Sequence, residues 1–248
     1  MKPEERLIVA LDVESRDRAA RLVQSLAPLG VTRFKVGLEL FTREGPAAVE
    51  AVHRGGGQVF LDLKLHDIPN TVAQAVRAAA RMGVWMTNLH IHGGSAMMRQ
   101  ALSAAREEAA KNSRKPPILL GVTVLTSMAE KDLADLGLRK RLKDQVLYLA
   151  KLAQEAGLNG IVASAQEAKV IRLALGEEFL IVTPGIRPAV DPFENLSAGG
   201  FRDDQRRTAT PSQALSAGAD YLVVGRPILE AKDPVEAAKE ILQDCRSH

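Results

Sequence analysis

The chain has 248 residues, 46% hydrophobic and 25% charged, with a formal net charge of +3. This is material for an ordinary globular core, and the mild positive balance lacks the concentrated Lys/Arg face of a nucleic-acid binder. No apolar run approaches the roughly 18 residues that span a bilayer, and the single cysteine, Cys245, allows no disulfide within the chain.

Taken in order, short β-branched runs alternate with longer amphipathic ones. The start, Met1-Lys2-Pro3-Glu4-Glu5-Arg6, is charged and is neither a signal peptide nor a transit sequence. With the lone cysteine, this predicts a cytoplasmic protein. The first strand is predicted over 7–12, and a helix follows over 17–26 with Ala19, Leu22, Val23 and Leu26 on one face. Strands are then predicted over 33–38, 58–65, 85–90, 118–125, 160–163, 180–183 and 221–224. Helical spacing is marked over 47–53, 72–82, 96–111, 142–156 and 235–242. The basic run Arg139-Lys140-Arg141-Leu142-Lys143 reads as a solvated helix start. Cys245 reads as an inert residue near the end, and Trp85 and the scattered methionines as core.

Strand–helix alternation implies a parallel sheet covered by helices, and eight repeats favour closure into a single (β/α)8 TIM barrel over residues 1–248. No Gly-x-Gly-x-x-Gly turn follows the first strand, which weakens a dinucleotide-binding reading. The one long irregular stretch, 187–205, follows the seventh strand and is expected to act as a mobile loop on the catalytic face.

The third strand breaks the rule that parallel strands read as continuous apolar runs. In Phe60-Leu61-Asp62-Leu63-Lys64-Leu65, period-two alternation sends Leu61, Leu63 and Leu65 to the helices and turns Asp62 and Lys64 inward. Buried charges cost several kcal/mol each unless partnered, and active sites are where such clusters are tolerated. Lys35, inside Phe34-Lys35-Val36-Gly37, and Asp67, just past the third strand, complete a row of alternating sign: Lys35, Asp62, Lys64, Asp67. The plainer alternative is a buried Asp62–Lys64 pair, with Asp67 capping the helix that opens at Pro69.

Asp62-Leu63-Lys64-Leu65-His66-Asp67-Ile68-Pro69-Asn70-Thr71 resembles the signature of the orotidine 5′-phosphate decarboxylases. Ala10-Leu11-Asp12, Leu125-Thr126-Ser127, Thr183-Pro184-Gly185-Ile186-Arg187, Asp204-Gln205-Arg206-Arg207 and Val224-Gly225-Arg226-Pro227-Ile228 follow in the family's order. The resemblance implies a barrel of the ribulose-phosphate-binding type, no cofactor and no metal. It implies conversion of orotidine 5′-phosphate to uridine 5′-phosphate and CO₂, the last step of de novo UMP synthesis. Lys64 would be the proton donor, with Asp62, Asp67 and Lys35 in its charge network. Asp12 would hold ribose hydroxyls and Thr126 the pyrimidine edge. Arg187, Gln205, Gly225 and Arg226 would take the phosphate, and Ile68 and Pro184 would also contact substrate. Asp67 and Thr71 would reach into a neighbouring subunit's site, making a homodimer the working unit.

Two departures stand out. The 187–205 stretch is longer than in many members, and Asn88-Leu89-His90-Ile91-His92 carries a His-x-His where one histidine is usual. No third or fourth ligand accompanies those histidines, so they are read as structural. The rival of the same fold is a metal-dependent sugar-phosphate decarboxylase or aldol enzyme sharing the Asp-x-Lys-x-x-Asp core. A rival of another class is a non-catalytic phosphate-binding barrel, which has no use for inward charges.

Overall fold

The computed structural model describes residues 1–188 and 207–246. All eight predicted strands are present: β1 (Leu7–Ala10), β2 (Arg33–Gly37), β3 (Gln58–Leu65), β4 (Met86–His90), β5 (Ile118–Val122), β6 (Gly160–Val162), β7 (Leu180–Thr183) and β8 (Tyr221–Val224). Each pairs in parallel with the next. β1 returns to β8 through Leu7↔Leu222, Ile8↔Val223 and Val9↔Val224, so the sheet closes on itself. The fold is a (β/α)8 TIM barrel.

The outer helices are α1 (Arg16–Leu26), α2 (Pro46–Arg54), α3 (Pro69–Arg81), α4 (Gly94–Lys111), α5 (Leu142–Ala156), α6 (Ala165–Leu175), α7 (Pro211–Ser216) and α8 (Pro234–Arg246). Their ends follow local chemistry. The Ser15 side chain accepts the Arg18 N–H at 3.3 Å to start α1, and α3 opens on a proline, which needs no N–H there. Gly157, at φ 90°, stops α5 in a conformation other residues resist. Helical spacing did not single out α6 or α7. α7 is too short to show a period, and in α6 the buried position 167 is a glutamate, which blurs the apolar stripe. None of these helices is long and apolar enough to cross a membrane.

Side-chain parity sorts the core into layers. Leu7, Val9, Phe34, Val36 and Leu61 pack outward in one cluster with the helices, and Leu89, Leu119, Ile161 and Ile181 do so in another. Ile8, Phe60, Met86, Leu120, Val182 and Val223 meet inside the barrel. Beside this inner cluster the Arg33 guanidinium lies 4.8 Å from the Trp85 ring centroid and 5.3 Å from that of Tyr221, close enough for cation–π attraction. The inner apolar plug leaves the C-terminal ends of the strands as the place where polar side chains can face inward.

Strand ends are trimmed relative to expectation. β1 stops at Ala10, although the Leu11 N–H still bonds the Lys35 carbonyl at 2.8 Å, so Asp12 lies just beyond the ladder. β5 stops at Val122, and the Thr123 hydroxyl then bonds the Val162 carbonyl at 2.9 Å. Cys245 is buried on α8 rather than loose at a tail, and burial pushes its thiol up to about 11, away from the reactive thiolate.

Candidate active site

Parity on β2 and β3 delivers the charges. Phe34 and Val36 face the helices, so Lys35 faces in; Phe60 faces in, so Asp62, two residues on, does too. Lys35 Nζ lies 2.9 Å from Asp12 Oδ1 and 3.4 Å from Asp62 Oδ2, and Lys64 Nζ lies 2.8 Å from Asp62 Oδ1. The row runs Asp12, Lys35, Asp62, Lys64, with the sign alternating at each step. Lys35 and Asp62 side chains are 11% and 10% exposed, whereas Lys64 is 30% exposed. The inner pair is therefore sealed and the terminal ammonium remains open to a ligand.

Alternation is what makes the burial tolerable. A unit charge pair at about 4 Å and an effective dielectric near 20 is worth roughly 4 kcal/mol, comparable with the several kcal/mol each ion loses on leaving water. Burial alone pulls the Lys35 ammonium down, but Asp62 and Asp12 outweigh it, and the net direction is up. Burial alone pushes Asp62 up, but Lys35, Lys64 and the hydrogen bonds from Lys64 and Asn88 bring it below its ordinary value. Both inner groups are charged at neutral pH. Gly37 makes room for them: a Cβ there would stand 2.7 Å from Lys35 Nζ and 2.9 Å from Asp12 Oδ1.

Lys64 reaches its place through an irregularity. The β3–β4 register runs Leu61↔Thr87 and then Leu65↔Leu89, so β3 bulges between these pairs, and Lys64 has φ 50°. Its N–H bonds Asn88 Oδ1 at 2.8 Å, and Asn88 Nδ2 donates to Asp62 Oδ1 at 2.7 Å.

These groups line a cavity of about 770 Å³ at the barrel mouth. Its walls also carry Thr126 from the loop after β5, Pro184 and Arg187 after β7, and Gly225 and Arg226 after β8. Gly225 precedes the short helix Arg226–Leu229, and a Cβ on it would sit 3.4 Å from Ala10 Cβ and 3.6 Å from Asp12 Oδ2. The Gly225–Arg226 turn thus runs beside the end of β1. Gln205 and most of the expected 187–205 loop lie outside the described residues.

Asp67, Ile68 and Thr71 stand apart from this row. All three are exposed, Ile68 at 67%, and Asp67 Oδ1 accepts the Ile68 N–H at 2.6 Å. Among the described residues no ion pair joins Asp67 to Lys64, so the fourth member of the in-chain row is Asp12 rather than Asp67. The reason is positional: Asp67 lies past the end of β3, where the chain has already left the sheet for α3.

Sequence reasoning missed Asn88, Gly37 and Arg207. Asn88 gave the same signal as Asp62, a polar residue in an otherwise buried strand. Buried Arg207 bonds Glu167 Oε1 at 2.7 Å, the Leu125 carbonyl at 3.0 Å and the Val124 carbonyl at 3.4 Å, tying the Thr126 loop to α6. Beside the row, the His66 and His90 rings lie 5.5 Å apart. Burial, with His66 and His92 nearby, holds His90 down to about 4, so its ring is neutral at pH 7. Among the described residues no group of three His, Cys, Asp or Glu side chains is placed to hold a metal ion.

Known proteins resemble the chain in sequence and in fold. Residues 5–241 match the family described as Orotidine 5'-phosphate decarboxylase / HUMPS. The orotidine 5'-phosphate decarboxylase of Moorella thermoacetica is 51% identical over 242 residues, covering 97% of this chain and 92% of the relative. That of Pseudomonas putida strain W619 is 52% identical over 241 residues, 97% of each chain. Among solved structures, the orotidine 5'-phosphate decarboxylase from Lactobacillus acidophilus superposes with a TM-score of 0.82 at 35% identity, covering 96% of this chain and 98% of the other. The Pyrococcus horikoshii OT3 enzyme gives 0.70 at 25% identity over 97% and 99%.

The sealed Lys35–Asp62 pair has a pH signature. Asp62, with its value depressed, adds stability above the ordinary carboxylate range and loses it as pH falls through its folded value. Lys35, with its value raised, adds stability below the ordinary lysine range and loses it as pH rises through its folded value, so both contributions are present at pH 7. Lys35→Met leaves a buried carboxylate short of a counter-charge and should cost about 3 kcal/mol at pH 7. Thermal melts should show the gap between wild type and variant narrowing as the pH falls and Asp62 protonates; a gap unchanged by pH would contradict the coupling.

Proposed function

The chain belongs to the orotidine 5'-phosphate decarboxylase / HUMPS family, and from that premise we propose that it decarboxylates orotidine 5′-phosphate to uridine 5′-phosphate, with Lys64 protonating C6. The supporting observation is the Lys64 ammonium, held 2.8 Å from Asp62 over a sealed, charge-alternating row and open on its other side to the cavity.

The chemistry asks for little else. The bond from C6 to the carboxylate breaks, CO₂ departs, and the electron pair stays on C6, where the ring delocalises it poorly. Lys64 faces that charge as it develops and then gives C6 a proton, becoming a neutral amine that is reprotonated from solvent. An ammonium fixed in advance by Asp62 does this without reorganising, the condition under which electrostatic stabilisation is most effective. Asp62 also sits where a departing carboxylate would feel its charge, and Lys35 keeps it ionised. No step requires a resident metal or cofactor.

The rest of the substrate is held at a distance from the chemistry. Asp12 accepts ribose hydroxyls, Thr126 reads the pyrimidine edge, and Pro184 walls the cavity beside it. Gly225, Arg226, Arg187 and Gln205 take the phosphate. The first of these offers backbone N–H groups at a close approach, and Arg226 adds a planar fork of donors. Barrels commonly bind phosphate after the seventh and eighth strands. Binding energy from the phosphate is spent on assembling the site.

Asp67, Ile68 and Thr71 serve the site of a second subunit. Their exposure, and the absence of an in-chain bond between Asp67 and Lys64 among the described residues, support this over a purely internal role. The homodimer is then the working unit of a cytoplasmic enzyme. The sugar-phosphate alternative draws no support from these relatives, which carry the nucleotide decarboxylase name at about 51% identity.

Two experiments test this reading. Loss of a 4 kcal/mol charge interaction corresponds to roughly a 10³-fold fall in rate. Lys64→Ala should therefore lower kcat by at least about that factor while still binding uridine 5′-phosphate. Followed by the absorbance of orotidine 5′-phosphate in excess chelator, wild type should remain active; near-normal Lys64→Ala turnover, or a wild type silenced by chelator, would overturn the mechanism. Mixing inactive Lys64→Ala with inactive Asp67→Ala should restore activity, because half of randomly exchanged dimers carry one intact shared site, about a quarter of all sites. A mixture that stays inactive after subunit exchange would rule out sharing.

A further inference from the structure

One buried polar side chain at the reacting end of the barrel has no part in the chemistry above. Asn88, 1% exposed on β4, touches both members of the Asp62–Lys64 pair. We infer that Asn88 is a positioning residue that sets the aim of the proton donor by pinning the β3 bulge and the Asp62 carboxylate at once.

The backbone supplies the first reason. From Leu61 to Leu65 β3 advances four residues while β4 advances only from Thr87 to Leu89, two residues. The surplus is absorbed around Lys64, whose φ of 50° is the left-handed region. A side chain with a Cβ resists that conformation, and such residues persist where their surroundings over-determine them. The over-determining contact is the Lys64 N–H bonded to Asn88 Oδ1 at 2.8 Å. Without it, a half-buried N–H at the bulge loses its partner, and the ladder is free to relax towards regular pairing.

The side chain supplies the second. Asn88 Nδ2 donates to Asp62 Oδ1 at 2.7 Å, the same oxygen that receives Lys64 Nζ at 2.8 Å. One rigid amide therefore holds the donor lysine by its backbone and the carboxylate that orients its ammonium. Only an amide meets both demands at this length: aspartate accepts but does not donate, and leucine does neither. Because two of the donors on Asp62 converge on one oxygen, the other, Oδ2, is left to Lys35 at 3.4 Å.

This inference rests on the Lys64 reading, and the experiment keeps the two separable. Asn88→Asp retains an acceptor for the Lys64 N–H but loses the donor to Asp62, while Asn88→Ala loses both. The comparison covers kcat, KM, the pH profile and uridine 5′-phosphate binding, all on protein shown to be folded by its melting transition. A misplacement of about 1 Å costs on the order of 10²-fold in rate. Both variants should therefore lose roughly that factor in kcat with KM and product binding changed only a few-fold. The acid limb of the profile should move to higher pH, because Asp62 has lost a donor to its ionised form. A folded variant with kcat within about threefold of wild type, or with an unmoved acid limb, would overturn the inference. Should Asn88→Ala fail to fold, the near-isosteric Asn88→Asp carries the test alone. Lys64→Ala run alongside separates the failures. If it is inactive while Asn88→Ala is active, only this inference falls; if it is active, the proton-donor reading falls and takes this inference with it.

Discussion

Lys35 is shut between Asp12 and Asp62, and an ammonium so placed is stable only while both carboxylates hold station. Much of the open end of the barrel can be traced to that requirement. β2 must present position 35 inward, which it does because Phe34 and Val36 anchor the opposite parity against the helices. Residue 37 must lack a side chain, since any Cβ would press on Lys35 and Asp12. Beneath the charges, Phe60 and Met86 pair across β3 and β4 inside the barrel and belong to its dry inner cluster. The row therefore faces the cavity on one side, with Lys35 and Asp62 nearly sealed and Lys64, its last member, more open to it.

The two ends of the cavity are built differently. At the charge row, side chains on the strands define positions through the rigid ladder. At the far end, Thr126, Arg187 and Arg226 sit on loops or just past strand ends, where position depends on tethers. Arg207 is one such tether, bonding two carbonyls of the β5 loop while its charge is met by Glu167 on α6. Burial pushes the Glu167 carboxyl up against the pull of that arginine, so the pair is held at some cost. Under the proposed function this puts the reacting centre on strands and recognition on loops, which lets the second adapt without disturbing the first.

The barrel was legible because parallel strands buried on both faces leave a simple trace, and all eight runs lie where that trace places them. The charge row was legible for the same reason, since Asp62 and Lys35 are conspicuous in apolar strands. Lys64 was assigned to the correct face by period-two counting, yet its geometry comes from a bulge and a left-handed residue that no alternation rule contains. Asp67 was counted into the row from its proximity in sequence. The turn from β3 into α3 carries it outward, and Asp12, across the strand ends, takes the place beside Lys35. Asn88 and Arg207, though they fall within quoted motifs, were given no role because their value lies in whom they touch, which a linear reading does not supply.

The circular hydrogen-bond ladder joining β8 back to β1 has one more consequence. A sheet without a first or last strand offers no row of unpaired backbone groups for another polypeptide to extend. Association between folded copies then falls, rather than to strand pairing, to helices and connecting segments, where single substitutions can tune it. The backbone template for fibrillar stacking is exposed only when the ring itself comes apart.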